Sequence, residues 1–392
     1  METSAISGFS KLSLIEKINI IKEFANLNEE DLKLIEKYQK LPDFTELENN
    51  TGPFKIATNF LVNGKDYFVP MEIEEPSVVA AASRGAKLVR TGGGFTGSYI
   101  DSGMIGQIQI VKLENIEETK KILSENKEEF LKIANDTDKI ITGLGGGATD
   151  IEIREIDTKL GKNIVLHLVV NTLDAMGANI VNTMCEAVSN KIRELIDGKI
   201  YLRIISNFAD KRIVRVGCKI PIDSLSIGDF DGRYVAEGII YATELAKSDI
   251  YRASTHNKGI MNGIDAVALA TGNDWRALEA GVHSYAARNG KYASVTDWWI
   301  EDKYLNGTIE IPLAIATVGG ATNQKKAKLA LKILRVKSAR ELGIVAASVG
   351  LSNNLAALSS IISEGIQKGH MRLHKEFVNR SKNNSNERIA NM

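Results

Sequence analysis

The sequence predicts an α+β fold in which a small split-βαβ domain is inserted into a larger, mainly helical one. At 392 residues the chain exceeds what a single ordinary hydrophobic core supports. Between residues 109 and 215, strand-like and helix-like segments follow a β-α-β-β-α-β-like order. From Lys258 onward helical patterns dominate. These observations predict a discontinuous large domain (1–108 and 216–365), a small domain (109–215) and a C-terminal segment (366–392).

The first third of the chain contains two helices, a hairpin and a third helix. Apolar residues recur at helical spacing in two segments between Ser10 and Lys40. Phe54–Val69 alternates polar and apolar residues and turns at Asn63–Gly64, which is typical of a β-hairpin. Glu75-Pro76-Ser77 begins a helix that runs to about Arg90, with proline in its first turn.

The remaining elements follow from the same patterns. Strands are expected at Ile105–Val111, Asp150–Arg154 (with a bulge or an end at Glu155–Ile156), Ile164–Val170, Tyr201–Ser206, Lys211–Lys219 and Thr308–Ala316. Helices are expected at Glu114–Ala134, Ile180–Ile196, Ile260–Ala270, Trp275–Arg288, Lys325–Leu334, Ser338–Val349 and Asn353–Ile366. The polar stretch Asn379–Met392 is predicted to be a mobile tail.

Composition argues against several classes of function. Lysine plus arginine and aspartate plus glutamate both number 49, so a net charge of zero gives no support for nucleic-acid or membrane-surface binding. Two cysteines are too few for a disulfide framework or a metal cluster. No secretory segment and no apolar run long enough to span a bilayer is expected. A cytoplasmic enzyme is the resulting expectation.

Two glycine-rich segments match the G-x-G-x-x-G/A pattern of Rossmann dinucleotide-binding folds. That pattern requires a strand before it and a helix after it. Gly92–Gly97 follows a predicted helix, and Gly143–Ala148 leads into the strand at Asp150. A Rossmann dehydrogenase is therefore the weaker alternative, and these glycines are expected in turns or ligand-facing loops.

A more informative segment is Asn171–Thr183, which follows an apolar strand and opens a helix. It contains an aspartate, three asparagines, a glycine and two threonines. Small residues let a ligand approach the backbone closely, and the N–H groups at a helix start suit an anionic ligand. An ordinary strand-to-helix turn is the structural alternative.

Four titratable residues lie in settings that suit acid–base or oxyanion chemistry, although each also has a structural explanation. Glu75 begins a helix, where the helix dipole favours any carboxylate. Lys258 comes just before an almost wholly apolar helix that would partly desolvate it; a solvated loop lysine is the alternative. Asp274 could simply cap the helix from Trp275, and His370 could be a surface histidine.

In their sequence contexts, these four residues resemble the catalytic residues of hydroxymethylglutaryl-CoA reductases. The resemblance covers nearly the whole chain, and its blocks follow the family's order. The blocks are Ser7–Leu12, Glu74–Ser83, Asn171–Thr183, His256–Ala280, Ala316–Thr322 and Gly369–His374. The dipeptide Ala178-Asn179 is similar to class II, the soluble branch of the family.

The resemblance implies four-electron reduction of the hydroxymethylglutaryl-CoA thioester to mevalonate and free CoA, by two hydride transfers from NADH or NADPH. CoA is thus part of the substrate, and no metal ion is implied. Lys258 would stabilise the oxyanion, and Asp274 would hold and tune that lysine. Glu75 would donate the proton needed when the aldehyde is reduced. His370 would protonate the departing CoA thiolate.

The resemblance also implies binding residues and partners. Ser77, Asn207, Arg252 and Asn262 would hold the hydroxymethylglutaryl group, with Arg252 as the carboxylate partner. The dinucleotide contacts would be Asp174, Met176, Gly177, Asn179 and Asn182, together with Thr317, Val318, Gly319 and Gly320. The small nucleotide-binding domain would be ferredoxin-like. A homodimer with interfacial active sites is expected, and a trimer of dimers is the larger assembly that the resemblance allows. No nucleic acid or membrane partner is expected.

The segment after His370 differs from the family pattern in two ways. The C-terminal lid is shorter than is usual in class II. Regulated class I members carry a phosphorylatable serine six residues after the histidine, and the matching position here is Glu376. That switch is therefore expected to be absent.

Cofactor choice and direction stay open at the sequence level. Asp136 and Asp138, expected near the adenosine, weakly favour NADH because a carboxylate repels a 2′-phosphate. Mevalonate synthesis for isoprenoids is expected, and mevalonate degradation by the same enzyme is the alternative. A CoA-ester-binding protein without catalysis would be expected to have lost at least one of the four catalytic positions, and none is altered.

Overall fold

The structure is a computed structural model that describes residues 3–40 and 54–363. The helices within these ranges are α1 (Leu14–Ala25), α2 (Glu29–Lys40), α3 (Pro76–Arg90), α4 (Ile116–Glu125), α5 (Lys127–Asp136), α6 (Lys139–Gly143), α7 (Ala178–Leu195), α8 (Gly232–Ser248), α9 (Ile250–Ala270), α10 (Trp275–Ala286), α11 (Lys325–Leu334) and α12 (Ala339–Ile362). The strands are β1 (Phe54–Val62), β2 (Lys65–Glu72), β3 (Phe95–Asp101), β4 (Met104–Val111), β5 (Gly147–Thr158), β6 (Gly161–Asn171), β7 (Lys199–Ile205), β8 (Arg212–Pro221), β9 (Thr296–Glu301) and β10 (Tyr304–Pro312).

The strands form two separate sheets. One has six strands in the order β2-β1-β3-β8-β10-β9, and its pairs are antiparallel except for β1 with β3. The other has four antiparallel strands in the order β5-β6-β4-β7. Its chain order, β4, helices α4 to α6, β5, β6, α7 and β7, is the split βαβ arrangement of a ferredoxin-like domain. The predicted α+β class is confirmed.

Each sheet has its own hydrophobic core. Around the six-stranded sheet, buried side chains of α3, α8, α9 and α12 pack together. The helices of the four-stranded sheet cover one of its faces with residues such as Phe130, Val181 and Ile192, which pack against Ile108 and Leu168.

Helix α12 is the central helix of the large core. It is apolar around its whole circumference and packs against α3, α8 and α9. By length and composition it could cross a membrane, which corrects the expectation that no such segment exists. However, 78% of its most apolar window is buried inside the protein. An all-round apolar helix of this kind is typical of the core of a large protein.

Several predicted helices have different bounds in the structure. The predicted helix Glu114–Ala134 is two helices, separated at Asn126, whose side chain bonds to the carbonyl of Ile122 at 2.8 Å. Conversely, the two helices predicted from Ser338 are the single helix α12 within the described range. Gly350 lies inside it because α9 packs so closely there that a Cβ would approach Ile264 to 2.9 Å.

The strand predictions also need corrections. Strands β3 and β9 and helix α8 were not predicted. β5 does not bulge or end at Glu155–Ile156; its bulge lies between Ala148 and Asp150, and the strand continues to Thr158. β10 starts at Tyr304 and ends at Pro312, so the predicted Thr308–Ala316 strand is shifted.

The predicted domain boundaries remain predictions. The positions of β4 and β8 differ from those boundaries by a few residues. β4 begins at Met104, before the predicted start at 109. Residues 212–215, predicted to lie in the small domain, pair with β3 and β10 in the six-stranded sheet. The predicted C-terminal lid, with His370 and Glu376, lies outside the described residues.

Candidate active site

Glu75 and Ser77 lie together at the start of α3. Glu75 has extended backbone angles and precedes Pro76, so it is the last residue before the helix. Its carboxylate makes no capping bond to the helix backbone, and instead accepts a hydrogen bond from the Ser77 hydroxyl. Both side chains are half-buried. The structure thus brings together the predicted proton donor and one predicted substrate contact.

Lys258 lies inside α9, not in a loop before the helix as predicted. The helix already begins at Ile250, because Asp249 caps it by accepting a bond from the N–H of Arg252 at 2.8 Å. Lys258 is exposed, and Asn262, one turn later on the same helical face, is half-buried. No ion pair between Lys258 and Asp274 is found among the described residues.

Two buried polar residues explain why the helix continues through this segment. His256 Nε2 lies 2.7 Å from the Thr296 hydroxyl, and the carboxamide of Asn257 bonds to the carbonyl of Ala293 at 2.9 Å. Burial lowers the pKa of His256 to about 3, with a further contribution from the charge of Arg252. His256 is therefore a neutral core residue, and burial also lowers the pKa of the half-buried Arg252.

Asp274 occupies the N-cap of α10, as the structural alternative predicted. Its carboxylate accepts a bond from the N–H of Ala277 at 3.3 Å and lies 3.4 Å from Arg276 Nε. The side chain is 46% exposed. Two turns later, α10 packs closely against the backbone of Asn207, another predicted substrate contact. A Cβ at Gly281 would lie 2.9 Å from the Asn207 carbonyl oxygen. Asn207 is itself exposed.

The turn after β6 has the shape expected of a ligand-facing strand-to-helix connection. Gly177, its last residue before α7, has a φ of +88°, and a Cβ there would lie 2.2 Å from the Thr172 side chain. Only glycine fits this position. No side chain caps α7, so its first N–H groups are directed towards the turn without a capping partner.

Asp174 connects this turn to two other segments. Its carbonyl oxygen accepts a hydrogen bond from the Thr317 N–H at 3.0 Å. Its carboxylate accepts a bond from the N–H of Ala339, at the start of α12, at 2.7 Å. The two sets of residues predicted to hold a dinucleotide are therefore adjacent. The carboxylate of Asp174 itself positions the turn.

The other predicted dinucleotide residues surround this junction. Val318 is 52% exposed, and Gly319 and Gly320 both have positive φ angles in an exposed loop. Asn179 is exposed in the first turn of α7. The remaining two face inward: Met176 packs against the small core, and the Asn182 carboxamide accepts a bond from the N–H of Ile205 at 2.8 Å.

Arg212 is a site-building residue that the sequence patterns did not reveal. It is fully buried at the start of β8 and forms an ion pair with Asp101 at 3.3 Å. Its guanidinium also donates to the carbonyl of Ala175 at 3.1 Å and of Leu173 at 3.4 Å. It thus holds the 172–177 turn against the six-stranded sheet. Lys211 precedes it and Arg215 follows in the same strand, so nothing in the local sequence marks Arg212 as the buried one.

The two acidic residues predicted near the adenosine have local partners. Asp138 caps α6 by accepting bonds from the N–H groups of Ile140 and Ile141, both at 3.0 Å. Asp136 pairs with Lys139 at 2.5 Å, and this contact lowers the pKa of Asp136. Asp136 is exposed and Asp138 is half-buried.

The glycine-rich segments do not form Rossmann turns. Gly92–Gly94 follow α3, and Gly147 begins β5, which pairs antiparallel with β6. In the described residues, neither sheet has the parallel strand order of a dinucleotide-binding Rossmann fold. The Rossmann alternative is wrong.

Comparison with known proteins gives one consistent result. A family model described as hydroxymethylglutaryl-coenzyme A reductase matches residues 13–375. A 3-hydroxy-3-methylglutaryl-coenzyme A reductase from Archaeoglobus fulgidus is 51% identical over 381 residues, covering 95% of this chain and 86% of the relative. A probable reductase of the same name from Borreliella burgdorferi is 34% identical, covering 95% and 88%.

The solved structures agree with the sequence comparison. A class II 3-hydroxy-3-methylglutaryl-CoA reductase from Streptococcus pneumoniae, bound to NADPH in open conformations, superimposes with a TM-score of 0.85. It is 38% identical, and the match covers 91% of this chain and 99% of the pneumococcal one. The fold described above is therefore shared with that structure over nearly its whole length.

Proposed function

The chain belongs to the hydroxymethylglutaryl-coenzyme A reductase family, and we propose that Glu75, Lys258, Asp274 and His370 carry its reaction. The enzyme is an NAD(P)H-dependent oxidoreductase. The observation that carries the assignment is 51% identity to a reductase over 95% of the chain. The half-buried pair of Glu75 and Ser77 adds a chemically suitable group within it.

The turn before α7 fits a dinucleotide. Its glycine at 177 leaves the backbone accessible, and the uncapped N–H groups of α7 suit a pyrophosphate. We assign this contact to Gly177 and Asn179, with the exposed loop of Val318, Gly319 and Gly320 on the other side. When bound, each reduced nicotinamide would supply one hydride, so two cofactor molecules would be oxidised in turn for each mevalonate formed.

Lys258 is proposed to stabilise the negative charge that develops on the thioester oxygen. A fixed ammonium group contributes most in a site from which water is excluded. In the single chain Lys258 is exposed, so this role requires that bound substrate or a second subunit covers it. Asp274 would then orient the ammonium group, in addition to capping α10.

Glu75 is proposed to supply a proton when the aldehyde is reduced. The Ser77 hydroxyl holds its carboxyl in place at the start of α3. Arg252 would pair with the carboxylate of the hydroxymethylglutaryl group, since a half-buried guanidinium forms a directed pair. Asn207 and Asn262 would complete the polar contacts. His370 would protonate the CoA thiolate, and that histidine is outside the described residues.

A homodimer with active sites at its interface is proposed, and three such dimers would form a hexamer. Support comes from an apolar surface on α8 and the start of α9, which we call the α8 face. On it Tyr241 is 79% exposed, Leu245 53%, Ile250 54% and Tyr251 84%. Exposed apolar side chains grouped in this way usually mark protein contacts. Tyr251 and Lys258 are two turns apart on the same side of α9, so a partner on the α8 face would lie next to the lysine.

The physiological setting is proposed on the same basis. We expect a cytoplasmic enzyme that synthesises mevalonate for isoprenoids. NADH is weakly favoured by the acidic pair at 136 and 138, although the pneumococcal relative binds NADPH.

The test is oxidation of NADH or NADPH when hydroxymethylglutaryl-CoA is added to the purified protein, with mevalonate and free thiol measured as products. Two equivalents of cofactor should be consumed per mevalonate formed. A protein that binds the CoA ester without oxidising the cofactor would instead be a binding protein, and the proposal would be wrong.

A further inference from the structure

The exposed loop of Val318, Gly319 and Gly320 is called the glycine loop below. A single carboxamide joins the segment before this loop to the turn between α9 and α10. Asn273 Nδ2 donates to the carbonyl oxygen of Ala316 at 3.0 Å, and the Ala316 N–H donates to Asn273 Oδ1 at 2.7 Å. The side chain thus pairs with both backbone polar groups of one residue, as a neighbouring antiparallel strand would. Asn273 directly precedes Asp274, and Ala316 directly precedes Thr317.

Residues at the end of α9 hold the Asn273 carboxamide in place. Its Nδ2 also donates to the Thr271 hydroxyl at 2.9 Å, and its backbone N–H bonds to the carbonyl of Ala268 at 2.8 Å. Thr271 is fully buried and bonds to the end of α9. The orientation of the carboxamide is therefore fixed by the helix that carries Lys258.

A second contact joins the same two segments independently. Gly272 has a φ of +69°, and a Cβ there would lie 2.5 Å from the carbonyl oxygen of Ala321 and 3.0 Å from the side chain of Ala327. The turn therefore packs directly on both sides of the glycine loop, at Ala316 and at Ala321. On its far side, Thr317 bonds to Asp174 in the turn before α7.

We propose that Asn273 is a positioning residue that couples dinucleotide binding at residues 317–320 to the placement of Asp274. This inference rests on the proposed function of those two segments. The carboxamide bonds to Ala316, which directly precedes the glycine loop, and Asn273 itself directly precedes Asp274. A displacement of the glycine loop is therefore transmitted through Ala316 and Asn273 to the start of α10. Correct placement of the loop is then a condition for correct placement of the Asp274 carboxylate.

The experiment compares wild-type enzyme with the Asn273→Ala variant. NADPH affinity is measured by calorimetric titration without substrate, and kcat and KM are measured at saturating NADPH. We expect NADPH binding to weaken about fivefold or more, the lower end of typical coupling between sites. We also expect kcat to fall about tenfold or more, because misplacement of a catalytic group by a fraction of an ångström is costly. The KM for hydroxymethylglutaryl-CoA should stay within about twofold, since Arg252 and Ser77 do not contact this turn.

Asn63→Ala is the matched control. Asn63 Nδ2 donates to the Gly97 carbonyl at 3.0 Å, and the Gly97 N–H donates to Asn63 Oδ1 at 2.9 Å, so it makes the same pair of bonds away from the proposed site. This variant should lose stability without changing NADPH affinity or kcat. If Asn273→Ala does not fold, Asn273→Ser, which keeps one hydrogen-bonding group, should show the same changes at smaller size.

The proposal is overturned if a folded Asn273 variant resembles the control, with a lower melting temperature but NADPH affinity and kcat within about twofold of wild type. An equal loss of affinity for NADPH and for hydroxymethylglutaryl-CoA would also overturn it, because it would indicate general damage. The wild-type titration and assay test the proposed function separately, since they do not depend on any variant.

Discussion

Gly263 of α9 lies directly against the carboxamide of Asn353 in α12, and a Cβ on the glycine would be 2.3 Å from Asn353 Oδ1. Nδ2 of the same Asn353 carboxamide donates to the carbonyl oxygen of Val78 in α3 at 3.0 Å. One side chain of the central helix therefore contacts both the helix that follows Glu75 and the helix that carries Lys258. The spacing between those two predicted catalytic residues depends on this contact.

Replacing Gly263 with alanine is expected to separate these helices. The added methyl group overpacks a core position, which typically costs about 1–3 kcal/mol of stability. We expect a lower free energy of unfolding in urea and a lower kcat. Gly259→Ala on the same helix is the control for stability, because no described residue outside its own stretch of helix lies within 4 Å of its Cβ position. It should be neutral or stabilising, since alanine favours a helix. Equal effects of the two substitutions would contradict the packing argument.

Much of this framework could be predicted from local sequence, but the contacts that organise the site could not. The turn at Gly177 follows from small residues between an apolar strand and a helix, and Glu75 from a helix that starts with proline. Asn273 and Ala316, by contrast, are 43 positions apart, and nothing local to either indicates their pairing. Lys258 was predicted before the helix because polar residues precede it in the sequence. In the structure those residues lie inside α9, and distant partners such as Thr296 satisfy their hydrogen bonds.

The acidic pair of Asp265 and Glu279 is expected to make stability depend on pH. Asp265 on α9 and Glu279 on α10 share a hydrogen bond, and Glu279 also pairs with His283. Burial raises the pKa of Asp265, and the Glu279 carboxylate raises it further. The folded protein therefore retains a proton on Asp265 at neutral pH, which the unfolded chain releases above about pH 4.

Stability should accordingly fall as the pH rises from about 4 towards the raised pKa of Asp265, by at most about 1.4 kcal/mol per pH unit. Asp265→Asn keeps a donor for Glu279 but removes this titration. Urea unfolding between pH 5 and 9 should therefore give a flatter profile for the variant than for the wild type. Parallel profiles would show that Asp265 does not hold a proton in the folded state.

Cofactor preference is expected to respond to the charges at 136 and 138. Combining Asp136→Asn with Asp138→Asn removes both negative charges, and a carboxamide oxygen at position 138 can still accept the capping bonds that Asp138 makes in α6. The double substitution also releases Lys139 from its pair with Asp136. We expect kcat/KM with NADPH to rise relative to that with NADH. An unchanged ratio would remove both residues from the cofactor site.

Lys258→Ala is expected to abolish turnover while the substrate still binds. Loss of an oxyanion-stabilising group costs on the order of 3 kcal/mol, about a hundredfold in rate. The measurement is kcat together with the dissociation constant for hydroxymethylglutaryl-CoA. Lys247→Ala is a suitable control, because that lysine of α8 is paired with Asp297 and Glu244 and has no proposed role. Retention of more than about a tenth of wild-type activity would contradict the assigned role.

His370 is expected to matter only for the step in which CoA leaves. The thiolate must be protonated as it departs, or it would attack the aldehyde again, and a histidine can supply that proton near neutral pH. Reduction of free mevaldehyde has no such step. His370→Gln should therefore greatly slow reduction of hydroxymethylglutaryl-CoA and largely preserve reduction of mevaldehyde by the same cofactor.

The comparison of the two substrates separates this role from general damage, because a disturbed fold or cofactor site would slow both reactions alike. His283→Gln serves as a control, since that histidine is engaged with Glu279 and Tyr292 in the α10 region and should affect both substrates to the same degree. Rates are measured for wild type and both variants side by side. Equal losses on the two substrates in His370→Gln would mean that His370 is not the proton donor to the thiolate.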